Sequence, residues 1–324
     1  MKKTILKLTI TSLAVGLLLL VTDISDVLSK IRRANGLVIA VSILSIWVAQ
    51  AISSLRWQWI LRADGANVPL GFLFISYMVG MFANALLPTS IGGDIVKTYD
   101  VYQRTKDISL SITSVFMERF SGLLVLLGLS WAGVSIACRL WAPSLFWGWI
   151  IASAGACLLV LAMFKCGVID RIISWAEKGM FARLARLVRK CAAIIAAYRN
   201  RKLLIFKLII ISIPVQLLTI VIYQMIGASL AIEIPFIYYL FGVPLIVILS
   251  LLPISLGGLG VREAAGVFVF GFAGLSPEAA LSLSVLFTAV TYLASLLGAV
   301  FLILRKGSLQ EISQGYSAVT KQRN

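Results

Sequence analysis

A helix-breaking segment occurs twice in this chain, and each copy closes an apolar run. Leu87-Pro88-Thr-Ser90-Ile-Gly92-Gly93-Asp94 returns, lightly edited, as Leu252-Pro253-Ile-Ser255-Leu-Gly257-Gly258-Leu259, 165 residues later. Two positions further on, Val96 matches Val261, and then Lys97 matches Arg262. Proline lacks the amide hydrogen that a helix needs, and paired glycines are weak helix formers. Backbone freed from a helix at membrane depth survives only where protein or a water-filled cavity covers it. A matched pair of such breaks in two halves of a chain is a sequence pointer to a transporter's binding site.

The surrounding sequence makes membrane depth the right frame. The chain is 60% hydrophobic, with a mean hydropathy of +1.00. Several of its runs approach or exceed the roughly 18 apolar residues that read as a spanning helix. Transmembrane helices are expected over about 5–22, 37–56, 108–133, 144–166, 203–227 and 278–303. The first follows Met1-Lys-Lys and lacks a small-x-small cleavage site, so it reads as an uncleaved helix. The breaks sit between an apolar limb of about 70–87 and a polar one of about 95–104, and between limbs of about 235–252 and 261–273.

The limb after the first break is too short and too polar to cross, so each break reads as a re-entrant hairpin. Three full helices separate the two hairpins, and an odd number makes them enter from opposite faces. The expected fold is an all-α polytopic membrane protein with an inverted repeat. Each half has three transmembrane helices and one re-entrant hairpin. Residues 1–304 form a single membrane domain, with repeat one at about 5–133 and repeat two at about 144–303. Residues 305–324 form a cytoplasmic tail.

Charge tests this topology independently. The net charge is +16, from 29 Lys and Arg against 13 Asp and Glu. With the N-terminus inside, 23 of the 29 cations fall in inside segments, as the positive-inside rule requires. Of the other six, Lys30, Arg32, Arg33 and Arg139 fall in expected outside loops, and Arg119 and Arg262 lie in the membrane region. The basic stretch of about 167–202 alternates apolar and cationic positions at helical spacing. It reads as an interfacial helix, with a solvated basic linker as the alternative. Trp141, Trp147 and Trp149 read as an outer aromatic belt. The cations lack the aromatic interleaving of a nucleic-acid module, so no nucleic acid is expected as a partner.

The chain has no histidine, which excludes Ser-His-Asp and Cys-His catalysis and any His-bearing metal site. Cys138, Cys157, Cys166 and Cys191 form no CxxC, and neither metal nor cofactor is expected. No nucleotide-binding motif marks an ATP-driven pump.

Ionisable residues inside a bilayer are costly and default to functional candidates. Glu118 and Arg119 lie within the expected 108–133 helix, adjacent and therefore about 100° apart around it. A substrate role and a structural ion pair, for instance Arg119 with Asp94, both remain open. Asp94 and Lys97 are three residues apart and share a helix face. A half-helix starting at Gly93 presents free amides to a phosphate, with Asp94 either part of that site or an N-cap. Asn84 lies one turn before Pro88 and is placed to satisfy freed backbone. In the second copy Arg262 stands at the position of Lys97 and Glu263 follows it. The candidate substrate-binding set is therefore Asn84, Pro88, Ser90, Gly92, Gly93, Asp94, Lys97, Glu118, Arg119, Pro253, Ser255, Gly257, Gly258, Arg262 and Glu263. No catalytic residue is assigned.

The segments Asn84 to Lys97, Glu118-Arg119, Leu252 to Glu263 and Gly274-Leu-Ser-Pro277-Glu-Ala-Ala280 together resemble the flippase-like membrane region of the lysylphosphatidylglycerol synthase/flippase family. The resemblance covers nearly the whole chain. It implies a multi-pass protein of the plasma membrane, both termini cytoplasmic, that moves a phospholipid or other polar lipid between leaflets. Membrane lipids with a phosphate headgroup are the implied partners, with a separate lipid synthase or a second copy of the chain as further partners. The family's two-domain members carry a soluble lysyl-tRNA-dependent synthase. This chain ends about 20 residues after its last expected helix, so a stand-alone member without lysyl transfer is expected. Lys97 stands where arginine is equally usual, which removes bidentate phosphate geometry there. Two other functions compete with transport. One is a membrane enzyme of lipid modification, of the phosphatidylglycerol lysyltransferase type, using Glu118, Asp94 or Glu263 as general base. The other is a membrane partner of a separate synthase.

Overall fold

The computed structural model describes residues 20–87, 92–137, 193–198, 200–251 and 258–305, with scattered positions before residue 20. Expectations for Pro88, Ser90, Pro253, Ser255, Gly257, the 144–166 helix, most of the basic stretch, the tryptophan belt and the tail beyond Arg305 lie outside the described residues.

Every element described is a helix. They are α1 (Ile24–Arg32), α2 (Gly36–Ala63), α3 (Leu70–Leu86), α4 (Gly92–Thr105), α5 (Ile108–Ala137), α6 (Lys202–Ser229), α7 (Phe236–Leu251), α8 (Val261–Gly271) and α9 (Pro277–Leu304). Among the described residues α2, α5, α6 and α9 are long and apolar enough to span a bilayer. α3 and α7, of 17 and 16 residues, are apolar but short. At about 1.5 Å per residue each reaches about 25 Å, less than a hydrocarbon core of about 30 Å.

The sequence places an outside loop over 23–36, but α1 forms there instead. Ile24, Val27, Leu28 and Ile31 recur at helical spacing, and Asp26 pairs with Lys30 at 2.6 Å. The N-cap Asp23 accepts the Ser25 amide at 2.8 Å. Hydrogen bonds from Ser25 hold the Asp23 carboxyl below its ordinary value. α1 packs on α9.

Each break joins a helix pair, α3 with α4 and α7 with α8. Gly93 lets the first pair close up: a Cβ there would collide with the Gly80 carbonyl. The second pair turns through Gly258 and Gly260, at φ +85° and +77°, in the left-handed region that glycine alone enters without strain. Ends are tied by charge. Asp64, just past α2, pairs with Arg201 at 2.5 Å and accepts the Tyr198 hydroxyl. Burial and that carboxylate push the Tyr198 hydroxyl above its ordinary value. Asp100 of α4 pairs with Arg305 after α9 at 2.7 Å, and Arg104 and Arg305 both lie over the Phe72 ring. The end of α2, the start of α3, the end of α4, the start of α6 and the end of α9 therefore sit at one end of the bundle.

Packing partners of the two halves correspond. α3 lies on α9 as α7 lies on α5, and α4 lies on α5 as α8 lies on α9. α2 touches α3 and α5 as α6 touches α7 and α9, while α2 and α6 pack on each other. The interiors differ. Around α6 to α9 a continuous core forms, with Tyr223 stacked on Phe287 at 3.8 Å and packed near Phe270. The corresponding space on the first hairpin is open.

Candidate functional site

That opening is a cavity of about 490 Å³ between α2, α3, α4, α5 and α6, reached also by the tip of α7. Its polar lining residues include Gln50, Ser53, Arg56, Asn84, Asp94, Lys97, Glu118, Arg119 and Gln216. Its apolar lining residues include Phe116, Phe120, Leu123, Leu126, Val247 and Leu251.

Glu118 is the centre of the deep end and is 1% exposed. One carboxylate oxygen accepts from Arg56 of α2 and from the Tyr77 hydroxyl of α3 at 3.1 Å. The other accepts from Lys97 of α4 at 3.0 Å. A single side chain of α5 thus holds three other helices. The Lys97 ammonium also lies over the Tyr77 ring at 3.9 Å and the Trp57 ring at 4.9 Å. Trp57 is itself fixed by its Nε1–H donating to Ser114 at 3.1 Å. Arg56 donates from Nη1 to Ser212 of α6 at 2.6 Å.

Nearer the mouth, Arg119 donates to Asp94 at 2.9 Å, with side chains 36% and 18% exposed. The 100° step between Glu118 and Arg119 sends them to different partners, and the shared face of Asp94 and Lys97 supplies both. Gly93 donates its amide to Asn84 Oδ1 at 2.6 Å, so Asn84 serves the freed backbone of the break. Gly92 is buried at the start of α4.

Arg262 and Glu263 do not reach the cavity lining. Glu263 accepts the Gly260 amide at 2.7 Å and the Thr288 hydroxyl at 2.9 Å, which is a capping arrangement at the start of α8. Arg262 donates to Thr288 at 3.4 Å. Gly258 sits in the turn before them, within the second half's filled interior. The second break contributes Val247 and Leu251, from the end of α7, to the cavity.

Sequence reasoning missed Arg56. It is one of the 23 cations counted as inside by the charge argument, yet it is 3% exposed and lines the cavity. The signal was present: Gln50, Ser53, Arg56 and Trp57 form a stripe at helical spacing within an apolar run. Tyr77, Ser212 and Gln216 carried a weaker signal, since they are uncharged; Ser212 and Gln216 are four residues apart on one face of α6.

Five charged side chains at this depth are an unusual expense. Buried ion pairs seldom stabilise a fold relative to apolar packing, because desolvation offsets the attraction. Here they line an open cavity, where ionisable groups are candidates for function.

Residues 4–298 match the model of the lysylphosphatidylglycerol synthase transmembrane region, and the chain belongs to that family. The UPF0104 membrane protein MJ1078 of Methanocaldococcus jannaschii is 24% identical over 71% of this chain and 97% of its own length. Glycosyltransferase AglD of Haloferax volcanii is 24% identical over 90% of this chain. The match covers 53% of that protein, so the chain spans about half the length of this relative.

Proposed function

We propose that this chain is a transporter that moves a polar lipid between the two leaflets. The observation that carries this reading is a cavity whose lining combines buried charges with apolar side chains. Such a mixed lining suits an amphiphile, whose headgroup meets the charges while its tails meet the apolar side chains. Family membership favours a lipid-related role in the membrane. In this reading the two halves form an inverted repeat within one membrane domain, and alternating access exchanges the side on which the headgroup enters. The chain resides in the plasma membrane with both termini cytoplasmic, and it carries no enzymatic activity of its own.

The test is headgroup translocation in reconstituted vesicles, followed with a headgroup-labelled phospholipid and an impermeant quencher. Arg119→Ala, at the partly exposed pair, should abolish translocation while the protein remains monodisperse in detergent. The glycosyltransferase name of one relative favours a second reading, a membrane partner or part of a lipid-modifying enzyme. Covalent turnover of a lipid without translocation would establish the enzyme. Activity that needs an added synthase would establish the partner.

A further inference from the structure

We infer that the exposed side of α1 is a docking surface for a bilayer leaflet that carries anionic headgroups, with Ile24 and Leu28 among the acyl chains and Arg32 and Arg33 among the headgroup charges. This rests on the chain's place in a membrane and is independent of the lipid-transport reading.

The spacing of α1 gives it two faces. At about 100° per residue, Ile24, Val27, Leu28 and Ile31 share about a third of the circumference, and Ser25, Asp26, Ser29, Lys30 and Arg33 share the opposite side. The protein covers only part of the apolar stripe. Val27 is buried and Ile31 packs against the main hydrophobic core, where α1 meets α9. Ile24 and Leu28 are 54% and 46% exposed. Leu20 and Val21 just before α1, and Leu37 just after it, are exposed and apolar as well.

Position says what covers Ile24 and Leu28. α1 precedes the start of α2, and the Asp64–Arg201 pair lies past the other end of α2, about 42 Å of helix away. That length carries α2 through the hydrocarbon core and into both headgroup layers. α1 is therefore held at the boundary of the leaflet opposite that pair. Its nine residues reach about 14 Å, too short to cross. An amphipathic helix at that depth lies in the plane of the interface with its apolar stripe toward the acyl chains.

Charge selects the lipid. Lys30 is paired with Asp26 at 2.6 Å. Arg32 and Arg33 are exposed, and among the described residues neither forms an ion pair with a carboxylate. Asp23, the other carboxylate of this segment, caps the far end of α1, beyond a Debye length of about 8 Å. Two unpaired guanidiniums thus stand together at one end of the helix. Arg32 lies beside Leu28 on the border of the apolar stripe, where a long side chain reaches from the acyl boundary into the headgroups. Cations at this end of the bundle run against the positive-inside rule, and anionic headgroups supply the attraction that offsets it.

The test uses the full chain with Cys138, Cys157, Cys166 and Cys191 replaced by alanine and Leu28→Cys labelled with bimane. It is reconstituted in phosphatidylcholine vesicles in which a minor share of the lipid is brominated high on its acyl chains. The brominated lipid is phosphatidylcholine, phosphatidylglycerol or phosphatidylserine in turn. Bimane at 28 should be quenched by all three, and bimane at Ser29→Cys, on the polar face, much less. Each anionic lipid should be enriched at position 28 at least about fivefold over phosphatidylcholine, the factor for about one basic side chain near an anionic surface. Raised salt should reduce that enrichment. Arg32→Gln with Arg33→Gln should bring the three lipids level and leave quenching by phosphatidylcholine unchanged. No quenching at 28 overturns the inference, since protein or water then covers the face. Equal quenching by the three lipids with both arginines present overturns it too. So does enrichment of one anionic lipid without the other, which marks a site for one headgroup and not a charged surface. If the arginine variants do not fold, the salt dependence with both arginines present decides. Translocation measured in the same vesicles keeps the two readings apart. Quenching and enrichment without translocation remove the transport reading and leave the surface. Translocation without quenching at 28 removes the surface and leaves transport.

Discussion

Gly133 and Gly298 are 165 residues apart, the same offset that relates the two helix breaks, and each presses on the inward-running helix of the opposite hairpin. A Cβ on Gly133 would lie 2.7 Å from Phe241 Cβ on α7, and a Cβ on Gly298 would collide with the Met78 carbonyl on α3. The halves therefore share a packing device that the motif itself does not contain. Gly133→Ala and Gly298→Ala should each destabilise by about 1–3 kcal/mol, the usual cost of overpacking. Gly93→Ala should do the same by wedging α4 off the Gly80 carbonyl. Thermal aggregation in detergent, read by size exclusion, checks all three, and wild-type melting of the Gly298 variant would contradict the packing.

Glu118→Ala should be the most damaging single change at the site. It strands Arg56 and Lys97 without a counter-charge, and removing one partner of a buried pair costs about 3–5 kcal/mol. Arg56→Met should cost less, because Lys97 still neutralises Glu118. The order of the two melting temperatures is the measurement, and the reverse order would refute the arrangement.

The pair at the mouth should behave differently. Arg119 and Asp94 are partly exposed, so Asp94→Asn should change stability by less than about 1 kcal/mol. Its effect should fall on translocation instead. Exchanging the two residues, Asp94→Arg with Arg119→Asp, should restore more activity than either single change. Additive losses would show that the pair is not an interacting unit.

The tied ends put Gly65, Lys106 and Leu304 on one side, and the positive-inside expectation makes that side the cytoplasm. Cysteines placed at these three positions should all label from that side. Cysteines at Gly36, Ile232 and Gly274 should label only from the other. Labelling of 65 and 304 from opposite sides would contradict the Asp64–Arg201 and Asp100–Arg305 contacts.

Tyr198 gives a pH signature. Burial and the Asp64 carboxylate raise its ionisation above the ordinary 10.0, so the folded state keeps its proton after the unfolded chain has lost it. The contribution to stability is complete below about pH 10 and is lost as pH rises toward the higher folded-state value. Tyr198→Phe should flatten the decline of melting temperature above pH 10. An unchanged slope would remove Tyr198 as its source.

The sequence by itself determined the solvent, the helices and the hinge points. Apolar runs long enough to span fixed α2, α5, α6 and α9 within a few residues, except that α2 runs on to Ala63, because lipid leaves a backbone no alternative to satisfying itself. Proline and paired glycine placed both breaks for the same reason. Asp94, Lys97, Glu118 and Arg119 were equally legible as candidates, since charge at that depth is costly, but whether each served a ligand or an ion pair was not. Only the tertiary structure decided who meets whom. Lys97 turned to Glu118 and not to a free position, Arg119 turned to Asp94, and Arg56 arrived from a helix 62 residues away in sequence. The copied motif placed a cation just past each break, but with Leu259 in place of Asp94 the copies were not equivalent, and Arg262 serves a helix cap region while Lys97 lines a cavity. Periodicity and composition act along one helix. The partner of a charge is set by which helix faces lie opposite each other, and that depends on interhelix packing such as the contacts at Gly93, Gly133 and Gly298.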